Sequence, residues 1–162
     1  MATGDTLFVF HPYDNEPPSS NYATFNVRNG HPILEFDDTT AYAAVFTGVL
    51  PRNYGGNGIT IYVHGMAVAT SGTMGWTAEI ERMDAGGTDF DSDSFASAQT
   101  ITATTVPGTS GQVLVLNVAI SSGANMDSLA AGEPFRLRLK RDVANDNAVG
   151  NTQMLMIEGK ET

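Results

Sequence analysis

The chain contains no cysteine among its 162 residues, and it has only eight Lys and Arg against eighteen Asp and Glu. Without cysteine there is no disulfide, no thiol nucleophile and no cysteine-ligated zinc site, so stability must come from packing or from oligomerisation. The formal net charge of −10 argues against nucleic acid as a partner, because phosphate binding depends on Lys and Arg.

Long apolar runs are also lacking. No segment approaches the roughly 20 apolar residues that a membrane-spanning helix needs, and the N-terminus has no basic region followed by an apolar run. We therefore expect a chain made in the cytoplasm, with neither a membrane nor nucleic acid as its partner. The length of 162 residues predicts one domain with its own core.

Glycine and short polar residues are abundant, and they separate segments in which apolar and polar residues alternate. This spacing predicts an all-β, antiparallel, jelly-roll-like sandwich with one short helical turn near 125–132; the alternative is an immunoglobulin-like sandwich. Asn29 and Gly30 predict a tight hairpin turn, and we expect segments 59–68 and 76–83 to form a long central hairpin. The strand-like segments are 23–28, 31–37, 42–50, 59–68, 76–83, 100–106, 113–120, 135–142 and 154–157.

Residues 1–22 differ in character from the rest of the chain. A short apolar run ends at Phe10 and is followed by Pro12, Pro17 and Pro18, which favour extended chain. We predict an extended N-terminal arm over residues 1–22 and a single sandwich domain over 23–162; the alternative is an edge strand followed by a surface loop.

Residues 135–142 read Phe-Arg-Leu-Arg-Leu-Lys-Arg-Asp and hold four of the eight basic residues. In a strand, Arg136, Arg138 and Lys140 share one face, opposite an apolar face. A basic stripe on an acidic chain predicts an interface with an acidic partner, which includes another copy of the chain. The alternative is a solvated strand face balanced by acidic residues on the neighbouring strand.

Catalytic and metal-binding patterns are weak or missing. Asp89, Asp91 and Asp93 alternate as in a calcium loop, but Ser94 and Thr100 replace the glycine and the glutamate that such a loop requires, which favours a solvated turn. The three histidines are far apart, and no Gly-x-Ser-x-Gly motif occurs. We predict no catalytic residue and no cofactor, and we expect an exposed position for the two acidic side chains on one strand face, Glu79 and Glu81.

Trp76, Tyr54, Tyr62 and Tyr22 are candidates for a platform on which sugar rings stack. Trp76 alternates with Ala78 and Ile80, however, which favours a core position for its side chain. The aromatic residues therefore leave a carbohydrate-binding domain open as a hypothesis.

Segments 50–56, 76–83, 91–96 and 126–142 resemble a pattern in small jelly-roll virion proteins of tailed bacteriophages, and the likeness covers roughly residues 40–158. The resemblance implies a decoration, or cement, protein that stabilises the capsid from the virion exterior. Such a protein would form a homotrimer at local three-fold positions and bind the major capsid protein, with the basic strand or the arm at the interface. The resemblance thus implies Phe8, Phe10 and Tyr13 as candidate contact residues of the arm. The alternatives are a carbohydrate- or receptor-binding fibre domain and a hydrolase whose site assembles only in the fold.

Overall fold

Ten strands form two antiparallel sheets in the computed structural model, which describes residues 2–162. Two 3₁₀ turns, Pro12–Asp14 and Ala124–Met126, are the helical elements of these residues, and the second overlaps the start of the segment 125–132 in which a helical turn is predicted. The strands are β1 (Thr6–Phe10), β2 (Thr24–Arg28), β3 (His31–Phe36), β4 (Ala43–Val49), β5 (Ile59–Ala67), β6 (Thr73–Arg82), β7 (Gln99–Thr105), β8 (Leu114–Ile120), β9 (Pro134–Arg141) and β10 (Thr152–Glu161).

The larger sheet has six strands in the order β2-β3-β10-β5-β8, with β1 paired to β10. β5 occupies one edge of β10 along its length, while β3 pairs with the first part of the opposite edge and β1 with the last part. The smaller sheet has the order β4-β9-β6-β7. The alternation of apolar residues seen in the sequence places one face of each sheet in the shared core.

The β2–β3 hairpin is confirmed. Asn29 and Gly30 connect the strands with φ angles of 47° and 77°, which is the left-handed backbone that a tight two-residue turn of this type requires. The predicted hairpin of segments 59–68 and 76–83 is wrong, because β5 and β6 belong to different sheets. Alternation of apolar and polar residues identifies the buried face of a strand but not the strands that pair with it. The two edges of β5 pair with β8 and β10.

The N-terminal segment differs from the predicted arm over 1–22. Thr6–Phe10 is a strand of the six-stranded sheet, with Leu7 and Phe10 buried in the core. The Phe10 ring stacks on the Phe46 ring with 5.3 Å between the ring centroids. Burial of Phe10 therefore stabilises the fold of its own chain. The apolar run forms core because its rings pack on Phe46 and Phe135 of the four-stranded sheet.

Residues 15–23 then follow the free edge of β4. The Glu16 backbone N–H donates to the Val45 carbonyl at 2.7 Å, and the Val45 N–H donates to Asn15 Oδ1 at 3.0 Å. Further along, Ala23 and Ala43 are joined through a backbone hydrogen bond of 2.8 Å. The polar segment therefore covers an edge strand whose backbone groups would otherwise be unpaired.

Candidate functional site

The outer face of the four-stranded sheet carries two ion pairs between β9 and β6. Arg136 Nη1 donates to Glu81 Oε2 at 2.9 Å, and Arg138 Nε donates to Glu79 Oε2. The strand register sets both pairs, because Arg136 lies opposite Glu81 and Arg138 opposite Glu79. The two arginine side chains are about one third exposed, whereas both glutamate side chains are 8% exposed. The sheet thus presents hydrogen-bonding groups whose charges are already balanced.

Phe95 adds an aromatic ring to these ion pairs. The guanidinium carbon of Arg138 lies 4.2 Å from the centre of the Phe95 ring, and that of Arg136 lies 5.3 Å from it. The Ala96 N–H donates to the Ile80 carbonyl at 2.8 Å and holds the segment against β6. Arginine stacks well on an aromatic face, so Phe95 helps to fix both guanidinium groups.

On this surface the pKa of the Glu81 carboxyl group is raised above its ordinary value. Burial raises the pKa of its carboxyl group, and the nearby Asp93 carboxylate raises that pKa further, while Arg136 and Arg138 act in the opposite direction. A buried carboxylate without a counterion is costly. The buried position of the Glu81 carboxylate is therefore stabilised by Arg136 and Arg138.

A groove of about 480 Å3 lies beside the ion pairs. Arg136 and Glu81 lie on its sheet side, and Thr47 Oγ1 donates to Glu16 Oε2 at 2.8 Å on another side. Phe90 stands at the rim with 78% of its surface exposed. An exposed ring beside several hydrogen-bonding groups is the arrangement expected of a site for a ligand with both apolar and polar faces.

The acidic segment that carries Phe90 does not gather its carboxylates. Asp89 Oδ1 accepts the Asp91 backbone N–H at 3.1 Å, and the Asp89 carbonyl accepts the Asp93 N–H at 2.8 Å, which is a hydrogen-bonded turn. Among residues 2–162, no group of three His, Asp or Glu side chains is placed so that it could hold a metal ion. Asp89, Asp91 and Asp93 are thus not assembled as the weak calcium pattern would require.

The residues predicted for an interface occupy different environments. Arg136 and Arg138 are paired with carboxylates of their own chain, as in the alternative that the sequence left open. Lys140 is half-buried beside Thr77 on the same sheet face.

For the N-terminal residues, the prediction needs correction at Phe10. Its side chain is 6% exposed and therefore unavailable to a partner. Phe8 is partly buried, with its ring against Gly159 and 5.1 Å from the Phe135 ring. Tyr13, by contrast, is 72% exposed.

The four aromatic residues considered as one platform are not brought together. Trp76 is fully buried, as its alternation predicts, and Tyr54 is buried with its hydroxyl accepting the Gly58 N–H at 2.7 Å. Burial also raises the pKa of Tyr54. Tyr62 lies on the larger sheet, 5.8 Å from the Lys160 ammonium, and Tyr22 is exposed near the N-terminal segment.

Phe90 of the groove and Phe95 beside the ion pairs were not identified from the sequence as site residues. A signal was present for Phe90, because it is an apolar residue between aspartates in a segment without strand periodicity. No sequence pattern pointed to Glu16 and Thr47. They lie close together only because residues 15–23 run along the edge of β4, far away in sequence.

No protein-family model matches the chain, and no curated protein matches it in sequence. Its structure is similar to that of Clostridium thermocellum endo-1,4-beta-D-xylanase 10B, in a crystal structure of the CBM22-1 and GH10 modules complexed with xylohexaose. The identity is 10% and the TM-score 0.52, and the match covers 99% of this chain but only 29% of the xylanase chain.

Two further similar structures have lower TM-scores. The CBM35 of Cellvibrio japonicus Abf62 has 13% identity and a TM-score of 0.46, with 98% of this chain and 86% of that chain covered. The CBM22-1 xylan-binding domain of Paenibacillus barcinonensis Xyn10C has 16% identity and a TM-score of 0.39, with 99% and 96% covered. At 10% identity, the comparison with the xylanase structure shows the fold alone. The chain is an all-β, antiparallel jelly-roll sandwich, which confirms the predicted fold class.

Residues 2–162 include no helix that is long and apolar enough to cross a membrane.

Proposed function

We propose that the chain is a non-catalytic carbohydrate-binding domain and that its site is the groove on the outer face of the four-stranded sheet. The observation that carries the proposal is the exposed Phe90 ring beside the paired Arg136 and Glu81 side chains. A sugar ring presents C–H groups that pack on an aromatic face, and its hydroxyls both donate and accept hydrogen bonds. Arg136 supplies donors for such hydroxyls, and Glu81 and Glu16 supply acceptors.

The charges of the groove favour a neutral sugar. Arg136 and Arg138 are each paired with a glutamate carboxylate, so an anionic sugar bound there would place its charge next to Glu81 or Glu79 and be repelled by it. The net charge of −10 also disfavours an anionic ligand. The fold shared with a protein whose structure holds xylohexaose supports a carbohydrate ligand.

The test is a binding assay of the intact protein against soluble neutral polysaccharides: xylan, glucomannan, galactan and mixed-linkage glucan. Affinity electrophoresis is expected to identify at least one ligand, and calorimetry then measures its affinity. Phe90→Ala should weaken binding about tenfold through loss of ring packing, whereas Phe90→Tyr retains the ring and should retain most of the affinity. Val149→Ala removes an 80% exposed apolar side chain outside the groove and serves as the control.

Two results would overturn the proposal: no binding to any of the four polysaccharides, or equal binding by Phe90→Ala and the unchanged protein. Release of reducing ends during incubation with the bound polysaccharide would instead indicate a hydrolase, which contradicts the non-catalytic part of the proposal.

The capsid-decoration role stays a prediction from sequence resemblance, as do the homotrimer, the major capsid protein as partner and the virion exterior as location. Its proposed interface includes Arg136 and Arg138, whose charges are balanced by carboxylates of the same chain. Light scattering over a dilution series tests the trimer directly. A stable trimeric mass would support this role. A monomeric mass at all concentrations would contradict the prediction of a homotrimer in solution.

A further inference from the structure

The 3₁₀ turn Pro12–Asp14 holds an aromatic side chain on the surface. Asp14 Oδ2 accepts the His11 N–H at 2.7 Å, and the Asp14 N–H donates to the His11 carbonyl at 3.0 Å, which closes the turn. Tyr13 projects from this turn with 72% of its surface exposed. Its ring lies 5.0 Å from that of Phe25, with 37° between the ring planes.

Two more exposed aromatic side chains border the same place. Phe25 is 45% exposed and Tyr22 is 49% exposed, although apolar rings of this size usually contribute to a core. The three rings line a cleft of about 310 Å3, with Pro12 and Pro17 as further walls. Exposed rings that converge on one concave surface are a feature of binding sites rather than of ordinary sandwich surfaces.

The aromatic cleft is connected to the groove of the proposed function. Between them lies a third hollow of about 460 Å3, which is lined by Tyr13, Asn15, Glu16 and Thr47 among others. It shares Tyr13 and Asn15 with the aromatic cleft, and Glu16 and Thr47 with the groove. The three hollows therefore border one another from Phe90 to the aromatic cleft.

The connecting hollow is anchored to the fold. Asn15 Oδ1 and the Glu16 N–H both bond the backbone of Val45, and Glu16 Oε2 accepts the Thr47 hydroxyl. These contacts position Tyr13 relative to the four-stranded sheet, because only two residues separate it from Glu16. The amide and carboxylate also offer hydrogen-bonding groups along the connection.

We propose that the ligand is an extended neutral polysaccharide chain, which runs from the groove across Glu16 to the aromatic cleft of Tyr13, Tyr22 and Phe25. This inference rests on the proposed function. The groove and the cleft each supply an exposed ring for sugar packing, and the connecting hollow supplies polar groups for hydroxyls. Occupation of both ends by one ligand makes the second contact intramolecular, so affinity should increase with chain length.

The experiment uses the intact protein and oligosaccharides of two to eight sugar units, prepared from the polysaccharide that binds best. Calorimetry should show affinity rising with length and then reaching a plateau. Tyr13→Ala should leave the affinity for the shortest bound oligosaccharide unchanged and weaken that for the longest about tenfold. Tyr13→Phe retains the ring and should restore the long-chain affinity. Tyr62→Ala removes a partly buried aromatic side chain from the larger sheet and is the matched control.

The outcomes separate the two proposals. If Phe90→Ala weakens binding but Tyr13→Ala changes neither short- nor long-chain affinity, the extended site is wrong and the groove alone binds sugar. If no oligosaccharide or polysaccharide binds, the proposed function fails and the extension fails with it. Loss of short-chain binding in Tyr13→Ala would also contradict the extension, because it would place Tyr13 in the primary site.

Discussion

Arg141 and Asp146 form a buried ion pair at one end of the sandwich, with side chains that are 0% and 2% exposed. Arg141 Nε donates to Asp146 Oδ2 at 2.8 Å, and Nη2 donates to Oδ1 at 3.2 Å. The remaining guanidinium N–H groups donate to the carbonyl oxygens of Phe36, Ala148 and Gly150. All five donors of the arginine are therefore paired, and the loop after β9 is fixed to the core.

Arg141→Met should destabilise the chain by about 3–5 kcal/mol, because it leaves the Asp146 carboxylate buried without a counterion. Urea denaturation measures the loss. Arg52→Met removes an exposed arginine and should change the free energy of unfolding by less than about 0.5 kcal/mol. The double variant Arg141→Met with Asp146→Leu should recover part of the loss, since no unpaired charge remains. Equal effects of Arg141→Met and Arg52→Met would contradict this account.

At Gly65, strand β5 lies close to strand β6 of the four-stranded sheet and to its neighbouring strand β10. An added Cβ would lie 2.7 Å from Trp76 Cη2 and 3.0 Å from the Gln153 carbonyl oxygen. Gly65→Ala should therefore cost about 1–3 kcal/mol through overpacking. Gly108→Ala is the control, because no heavy atom lies within 4 Å of its added Cβ. Thermal melting should separate the two variants, and a melting point for Gly65→Ala at or above that of Gly108→Ala would refute the close approach.

The role of β1 can be tested with a matched pair of phenylalanines. Phe10 is 6% exposed and packs on Phe46, whereas Phe90 is 78% exposed. Phe10→Ala should destabilise by about 3–5 kcal/mol through loss of buried surface and creation of a cavity, and Phe90→Ala by less than about 0.5 kcal/mol. Chemical denaturation measures both. A similar, small loss of unfolding free energy in both variants would contradict the core position of Phe10 and support the predicted extended arm for residues 6–10.

Strand positions were predictable because alternation and turn residues are local signals. The β2–β3 hairpin follows from Asn29 and Gly30, and the buried face of β9 follows from its period of two. The same period places Arg141 on the apolar face with Leu139, which is where it lies. Its burial is possible only because a later loop supplies Asp146 and two carbonyl oxygens.

Sheet membership and the groove were not predictable in this way. Which strands flank β5 depends on contacts between residues far apart in sequence, and alternation does not specify them. The groove joins residue 16, strand β4, strand β6 and the segment around Phe90. The pairing of Arg136 with Glu81 was open in the sequence because the neighbour of β9 was unknown.

Glu133 should give the stability of the chain a measurable pH dependence. Its carboxylate accepts Arg82 Nε at 2.7 Å, Arg82 Nη2 at 2.6 Å and the Ala130 N–H at 2.8 Å. The hydrogen bond from Arg82 is the main cause that lowers the pKa of Glu133 in the folded chain. An unfolded glutamate has a pKa of about 4.3, so the stabilisation is present above that pH. It is lost as the pH falls through the lower pKa of the folded state.

Glu133→Gln should therefore reduce the free energy of unfolding at pH 7 by about 1 kcal/mol, a modest value because both ionic side chains are 22–29% exposed. The difference from the unchanged protein should shrink as the pH falls below about 4.3. Urea denaturation between about pH 3 and pH 7 measures it. Asp91→Asn also removes one negative charge, but from the exposed acidic segment, and it controls for the general change in net charge. Parallel pH profiles for the two variants would show that the Arg82–Glu133 pair contributes nothing specific.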